Sequence, residues 1–428
     1  MQNTRRRHHR RSIYTHTLRE GVGAPAWASG TDLWKDFTVP LGPLADPTDT
    51  HASTIYAPNA AGVYAPFAAN VLTRTDLGLQ TVPTRVELSA APIPATATWI
   101  KTNVAITDNA LLAPDGTTTA AYIARTSTAA AFCRPATITK AASPIQYTQA
   151  VIAKADTATF LAMRLQGLFP ARADVCFNLA LGTISLAATA VTFTGASASI
   201  AALGGGYYLC TLTATSDNHT SFSASVAART SSGLIDDTDP SSTAGLYVWT
   251  NNVQAAAFAV PPILTGLATV NGNQQVIDLT GRLGTGVAGL LQVNFLTSDV
   301  SNFPDVMTIS DGTANNLVEM FGGGGNLAFG LKAGGVDQGS LTVASWATGV
   351  RTIVFSVGPN FIQSRVVGQS AITADTVATW PTLNQLSLGS RGYVGTNFSY
   401  QRVSKLALKF EAQSQTTFDA MYALGLLT

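Results

Sequence analysis

The sequence predicts an all-β fold: two antiparallel jelly-roll or β-sandwich domains behind an extended N-terminal segment, with a short helix near the C-terminus. Three observations carry this. Apolar and small polar residues alternate with a period of two through much of residues 86–428, the pattern of half-buried strands. Turn-forming stretches such as SDGTAN, FGGGGN and VGPN separate these runs at short intervals. Charged residues make up 11% of the 428-residue chain against 46% hydrophobic, far below the roughly 25% charge of ordinary globular chains. The exposed faces must then be built from Ser, Thr, Asn and Gln, which suits β-rich extracellular or virion proteins and large oligomer contacts.

The chain opens MQNTRRRHHRRS, and residues 1–30 read as a basic anchor arm carrying Arg5, Arg6, Arg7, Arg10 and Arg11. The polar SIYTHTLREGVG follows where a secretory signal needs an apolar core, and no run of 18 apolar residues predicts a membrane helix. Assembly in a cytoplasm is expected. The net charge is +1, from 25 basic and 24 acidic residues; five of the basic ones lie in residues 1–12, and the rest of the chain is mildly acidic, 20 against 24. Phosphate binding needs a basic face, so the body is no nucleic-acid binder. The arm itself suits either nucleic acid or the carboxylates of a neighbouring protein, where Arg makes bidentate bonds; the body's charge favours the second.

Residues 31–85 contain Pro40, Pro43, Pro47, Pro58, Pro66 and Pro83 and are expected to form an extended connector with few regular hydrogen bonds of its own. From 86 to 258 the first sandwich is expected. In SFSASVAA, Phe222, Ala224 and Val226 share one face and Ser221, Ser223 and Ser225 the other; AVTFTG and GGYYLCTLTAT repeat the pattern. AVPPILTG breaks it, which places a linker at 259–275. The second sandwich is expected over 276–428, where LLQVNFLT and SKLALKF alternate again. SQTTFDAMYALG places Phe418, Met421 and Tyr422 on one helical face. No sustained heptad predicts a coiled-coil stalk.

Particular stretches resemble known modules. TWIKTNVAITDNALLAPDGTTTA (98–120), with GGYYLCTLTAT (205–215) and GLYVW (245–249), resembles a carbohydrate-binding-like jelly roll common in bacteriophage tail-fibre and head-fibre proteins. Trp99 stands before the first strand, Ala113 to Thr117 form the turn, and Gly205–Cys210 and Gly245–Trp249 give the late strands. Residues 276–428, by strand spacing, the LSLG strand and the terminal helix, resemble a laminin-G or concanavalin-like lectin sandwich. Residues 56–85 resemble the lead-in before such modules in phage virion proteins.

These resemblances imply a bacteriophage virion structural protein on the particle's exterior, a fibre or adhesin displaying glycan-binding folds for host attachment. A capsid decoration or head-fibre protein is the alternative, and a polysaccharide depolymerase a third. The partners implied are other virion proteins through residues 1–85, a host cell-surface glycan and further copies of the chain in a homo-oligomer, with neither membrane nor nucleic acid among them.

The chemistry argues against an enzyme. Glycoside hydrolysis needs two carboxylates flanking the bond, and the four glutamates, Glu20, Glu87, Glu319 and Glu411, form no E-x-D-x-x-E strand of the kind concanavalin-like hydrolases carry. Beyond residue 20 only His51 and His219 are available to a triad, and no GxSxG occurs. No catalytic residue, metal ligand or cofactor is therefore assigned. Asp236, Asp237 and Asp239 in IDDTDPSS read as a solvated loop, and Cys133, Cys176 and Cys210 as buried, reduced thiols. Exposed aromatics stack on sugars; Trp380, beside Pro381, leads the candidates, followed by Trp346 and Trp99, while Tyr247 and Trp249 read as core.

Overall fold

The computed structural model describes residues 24–28, 31–39, 41–299, 303–359, 361–366, 372–375, 380–391 and 398–410, with Asp419 and Ala423. The Arg5, Arg6, Arg7, Arg10 and Arg11 arm lies outside these residues, as does nearly all of the stretch expected to form the terminal helix.

The described strands form four large antiparallel sheets, which pack in pairs as two sandwiches. The first pair uses strands between Ile100 and Gln254. Its six-stranded sheet runs Thr194–Ala202, Tyr207–Thr215, Gln146–Lys154, Gly245–Gln254, Ala120–Arg125, Val104–Leu111. Facing it is a sheet in the order Thr183–Val191, Arg172–Asn178, Phe160–Gln166, Ser221–Arg229, Phe132–Arg134, Ile100–Thr102. Between them lies one apolar core that includes Trp99, Ile123, Leu161, Met163, Phe177, Phe222 and Val226. The alternation read in SFSASVAA is the inward face of Ser221–Arg229. Its other face is covered by residues 230–241, held down because the Arg229 guanidinium donates to the carbonyls of Ser231, Leu234, Asp237 and Thr238.

The second sandwich is where sequence and structure part. Residues 31–85 do not drape as a connector; they supply strands to both of its sheets. Leu33–Asp36 pairs with Gln401–Lys409, placing Leu33 opposite Leu408. Gly78–Thr81 pairs with the same strand, Leu79 opposite Val403. Thr48–Thr50 edges the other sheet, Asp49 opposite Gln275. Leu33, Phe37, Leu44 and Leu79 enter the core with Val293, Phe329, Phe355 and Leu406. The prolines cut this segment into strands of two to four residues, too short to show a period, and Pro58 falls within the isolated two-stranded hairpin Ile55–Pro58/Tyr64–Phe67, where no central ladder needs its missing N–H. The buried Asp49 carboxylate ties the segment in, accepting from Thr73 N at 2.9 Å, Asn273 Nδ2 at 3.1 Å and Gln275 Nε2 at 3.1 Å.

The stretch 259–275 also differs from its expected role as a linker. Val260 and Ile263 are buried, Thr269–Val270 forms a ladder with Arg85–Val86, and Ile55, Val82, Ile263 and Val270 share a small core. The apolar residues beside Pro261 and Pro262 thus pack on the Ile55 hairpin and on Val82.

Candidate functional site

A cleft of about 790 Å³ opens where the two sandwiches meet. Its floor is the outer face of the six-stranded sheet. Strand register puts Ser197, Thr213, Thr148 and Gln254 in one row, and Ser199, Thr211, Ala150 and Asn252 in the next. Period-two alternation turns the Leu212 and Cys210 side into the core and leaves hydroxyls outward. The hydroxyls pair across strands, Ser199 with Thr211 at 2.6 Å and Thr148 with Thr213 at 2.8 Å. Thr148 Oγ1 also donates to Ala256 O at 2.8 Å, so Thr213 donates to Thr148.

One wall is the turn 58–62 of the short hairpin. Gly62, at φ +74°, meets Gly204 backbone to backbone: a Cβ on Gly62 would stand 2.1 Å from Gly204 N. Only glycine permits that approach. Tyr64 lies at the cleft's base against Trp249, ring centroids 5.7 Å apart. Across the opening, Phe258 and Tyr400 stack at 5.9 Å and 11°, and the Arg85 guanidinium lies 4.7 Å over the Phe258 ring. Burial pushes the Tyr400 phenol up to about 12 and raises that of Tyr64 as well, so both stay neutral in ordinary buffers. Arg402 is the only charged residue among those described in the lining, and its Nε donates to Gln80 Oε1 at 3.0 Å. The cleft thus has a hydroxyl floor, an apolar and aromatic roof, and one cation. Such a surface can exchange hydrogen bonds with polar edges while covering C–H faces.

A second concavity, of about 480 Å³, lies on the seven-stranded sheet of the second sandwich, lined by Glu319, Phe321, Lys332, Asp337 and Ser340 among others. Beside it, Arg391 Nε lies 3.1 Å from Asp305 Oδ2 and its Nη2 3.4 Å from Glu319 Oε2. Burial raises both carboxyls, Asp305 to about 7, against the lowering effect of Arg391. These carboxylates share one guanidinium.

The tryptophans singled out from sequence sit elsewhere. Trp99 is 3% exposed in the first core with Nε1 donating to Ala91 O, and Trp346 is 7% exposed in the second, tilted at 37° against Phe295 with ring centroids 4.3 Å apart and Nε1 donating to Thr297 O. Neither ring face is open to a ligand, because long-range packing covers both. Trp380 packs half-buried against the second core, and its buried Nε1 has no hydrogen-bond partner among the described residues. Trp249 is fully buried, and half-buried Tyr247 packs on Tyr122. Cys133, Cys176 and Cys210 are buried free thiols. In the 230–241 loop Asp236 pairs with Arg164 at 2.7 Å and Asp239 accepts from Thr230, while exposed His219 pairs with Asp217.

No family model matches the chain and no curated protein does. Solved structures similar to it include the NanB sialidase of Streptococcus pneumoniae, 14% identical over 33% of this chain and 25% of that one, at a TM-score of 0.28. The CBM40 of a Ruminococcus gnavus IT-sialidase, bound to α2,6-sialyllactose, is 12% identical over 35% of this chain and 90% of that one, also at 0.28. The receptor-binding domain of a botulinum neurotoxin of mosaic serotype C/D is 9% identical over 35% and 40%, at 0.28. This chain thus spans a quarter to two-fifths of the sialidase and toxin chains. The class of the protein, an all-β chain of two sandwiches, rests on its own strands and sheets.

Proposed function

We propose that this chain is a structural protein of a bacteriophage virion, a fibre or adhesin on the particle's exterior, and that the cleft between its sandwiches binds a host-surface glycan without cleaving it. The observation that carries the glycan reading is the cleft lining: paired Ser and Thr hydroxyls facing Phe258, Tyr400 and Leu296. A pyranose presents hydroxyl edges and apolar faces together, and this lining matches both. The virion reading is supported by the sequence resemblance of residues 98–249 to phage fibre modules, the scarcity of charge and the Arg-rich arm. Because residues 33–81 contribute strands to the second sandwich, the anchoring role narrows to residues 1–30, with carboxylates of a neighbouring virion protein as partner.

Deletion of residues 1–20 tests the anchor. The truncated chain should fold, retain glycan on a printed oligosaccharide panel and fail to join particles. Normal incorporation would refute the anchor. Immunogold labelling of intact particles separates a tail fibre from a capsid decoration.

A further inference from the structure

The lining of the cleft holds a cation and no counter-charge. Among its described residues there is no Asp, Glu, Lys or His beside Arg402. The place of Arg402 follows from strand alternation. Val403, Leu406 and Leu408 of Gln401–Lys409 face the second core, so Arg402, next to Val403, points to the outer face of its sheet and into the cleft. In the ladder it lies between Gln80 and Asn294. Gln80 is 1% exposed, and its Oε1 accepts from Arg402 Nε at 3.0 Å, which fixes the plane of the guanidinium. The remaining N–H groups, on Nη1 and Nη2, have neither a hydrogen-bond acceptor nor a carboxylate among the described residues. The neighbouring guanidinium is already used: Arg85 lies over the Phe258 ring and donates to Thr84 O at 3.0 Å. Asp76, behind the wall turn, accepts from Ala60 N at 2.8 Å and lies outside the lining.

We infer that Arg402 makes the cleft selective for an acidic sugar, a pyranose that carries a carboxylate. This rests on the glycan reading of the cleft and names its substrate class. A half-buried guanidinium without a counter-charge has lost part of its hydration and gained nothing in return. A ligand carboxylate restores the balance, because the planar fork of Arg matches its two oxygens with parallel, charge-assisted bonds. A neutral sugar hydroxyl offers one acceptor and no charge. The rest of the lining decides what carries the carboxylate. The Ser199–Thr211 and Thr148–Thr213 hydroxyl pairs meet ring hydroxyls, and Phe258 and Tyr400 cover C–H faces. A polyanion such as a nucleic acid needs a row of cations, and this lining has one. Gln80 is a positioning residue in this scheme: it holds Nε, so the free edge of the fork faces the cleft.

A panel of matched pairs tests this on the full chain. Each oligosaccharide containing a hexuronic or nonulosonic acid is printed beside its carboxyl-reduced form, in which the carboxylate has become a hydroxymethyl group. The wild type should favour the acidic member of the pairs it retains by about tenfold or more, the worth of a hydrogen bond to a charged group. Arg402→Gln keeps a donor at the site and removes the charge, and the gap between the two members should close. In the wild type the preference should also shrink as sodium chloride rises from about 50 to about 500 mM, since salt screens the pair; this reads the ion pair even if the variant misfolds. Equal retention of both members, a preference that survives Arg402→Gln, or one that ignores salt would overturn the inference and leave glycan binding standing. Retention of no glycan at all would overturn both.

Discussion

Asn252 Nδ2 donates to Glu87 Oε2 at 2.6 Å, and this bond joins the last strand of the first sandwich to the residue that follows the Arg85–Val86 ladder. Glu87 Oε1 accepts from Ser89 N at 2.7 Å and Val253 N at 2.9 Å, and Asn252 Nδ2 also donates to Ile263 O at 2.7 Å. A fully buried carboxyl therefore holds both crossing segments. Burial pushes its pKa up to about 8, against the lowering effect of those three donors.

A pH dependence follows from that node. Between the ordinary value near 4.5 and about 8, the folded chain holds the Glu87 proton and the unfolded chain does not. Stability from this group is thus complete below pH 4.5 and falls as pH rises towards 8. At about 1.4 kcal/mol per unit, the loss amounts to several kcal/mol. Glu87→Gln should be less stable than wild type at pH 4.5, because with its one oxygen facing Ser89 N and Val253 N its NH2 meets the Asn252 Nδ2 donor, and the gap should narrow as pH rises to 8.5. Urea melts at both values measure this; a gap that widens with pH would contradict it.

The packing of 259–275 makes a second prediction. Native-state digestion with a broad-specificity protease should spare this stretch, since its buried residues and its ladder to Arg85–Val86 must open before cleavage. Ile263→Ala should cost about 2–4 kcal/mol and expose the site. Rapid wild-type cutting between 259 and 275 would contradict the packed junction.

Asp305 and Glu319 make a third. Arg391→Met removes the cation that both approach and should destabilise the chain by about 3–5 kcal/mol, the cost of leaving buried charge uncompensated. The effect should be larger at pH 9 than at pH 5, where the raised carboxyls take up protons. The wild type should release no reducing ends from capsular polysaccharide. Release abolished by Asp305→Ala or Glu319→Ala would show instead that the pair works as a hydrolytic dyad.

Much of the fold could be read from local pattern. Phe222, Ala224 and Val226 point inward because a strand alternates, and four consecutive periods suffice to see it. The short strands Leu33–Asp36, Thr48–Thr50 and Gly78–Thr81 escaped because their order comes from partners 224 to 375 residues away, such as Gln274 and Leu408. The cleft divides the same way. Ser197, Ser199, Thr211 and Thr213 occupy the outward positions that alternation assigns. Tyr400 and Arg402 reach them only through the packing of one sandwich on the other. Trp99 and Trp346 misled because an indole beside a turn reads as accessible until distant strands cover it.

Glycan binding in the cleft is settled most directly by titration calorimetry of the full chain with an oligosaccharide selected from a neutral and acidic panel. Ser199→Ala/Thr211→Val keeps the shape and removes the hydroxyl pair that stands 2.6 Å apart on the floor. Two lost hydrogen bonds at about 1 kcal/mol each should weaken binding by at least tenfold with the fold unchanged by circular dichroism, and Phe258→Ala should do the same from the roof. Trp99→Phe, in the first core and outside the cleft lining, should leave affinity as it was. Wild-type affinity in both cleft variants, or a panel from which no glycan is retained, would contradict the assignment.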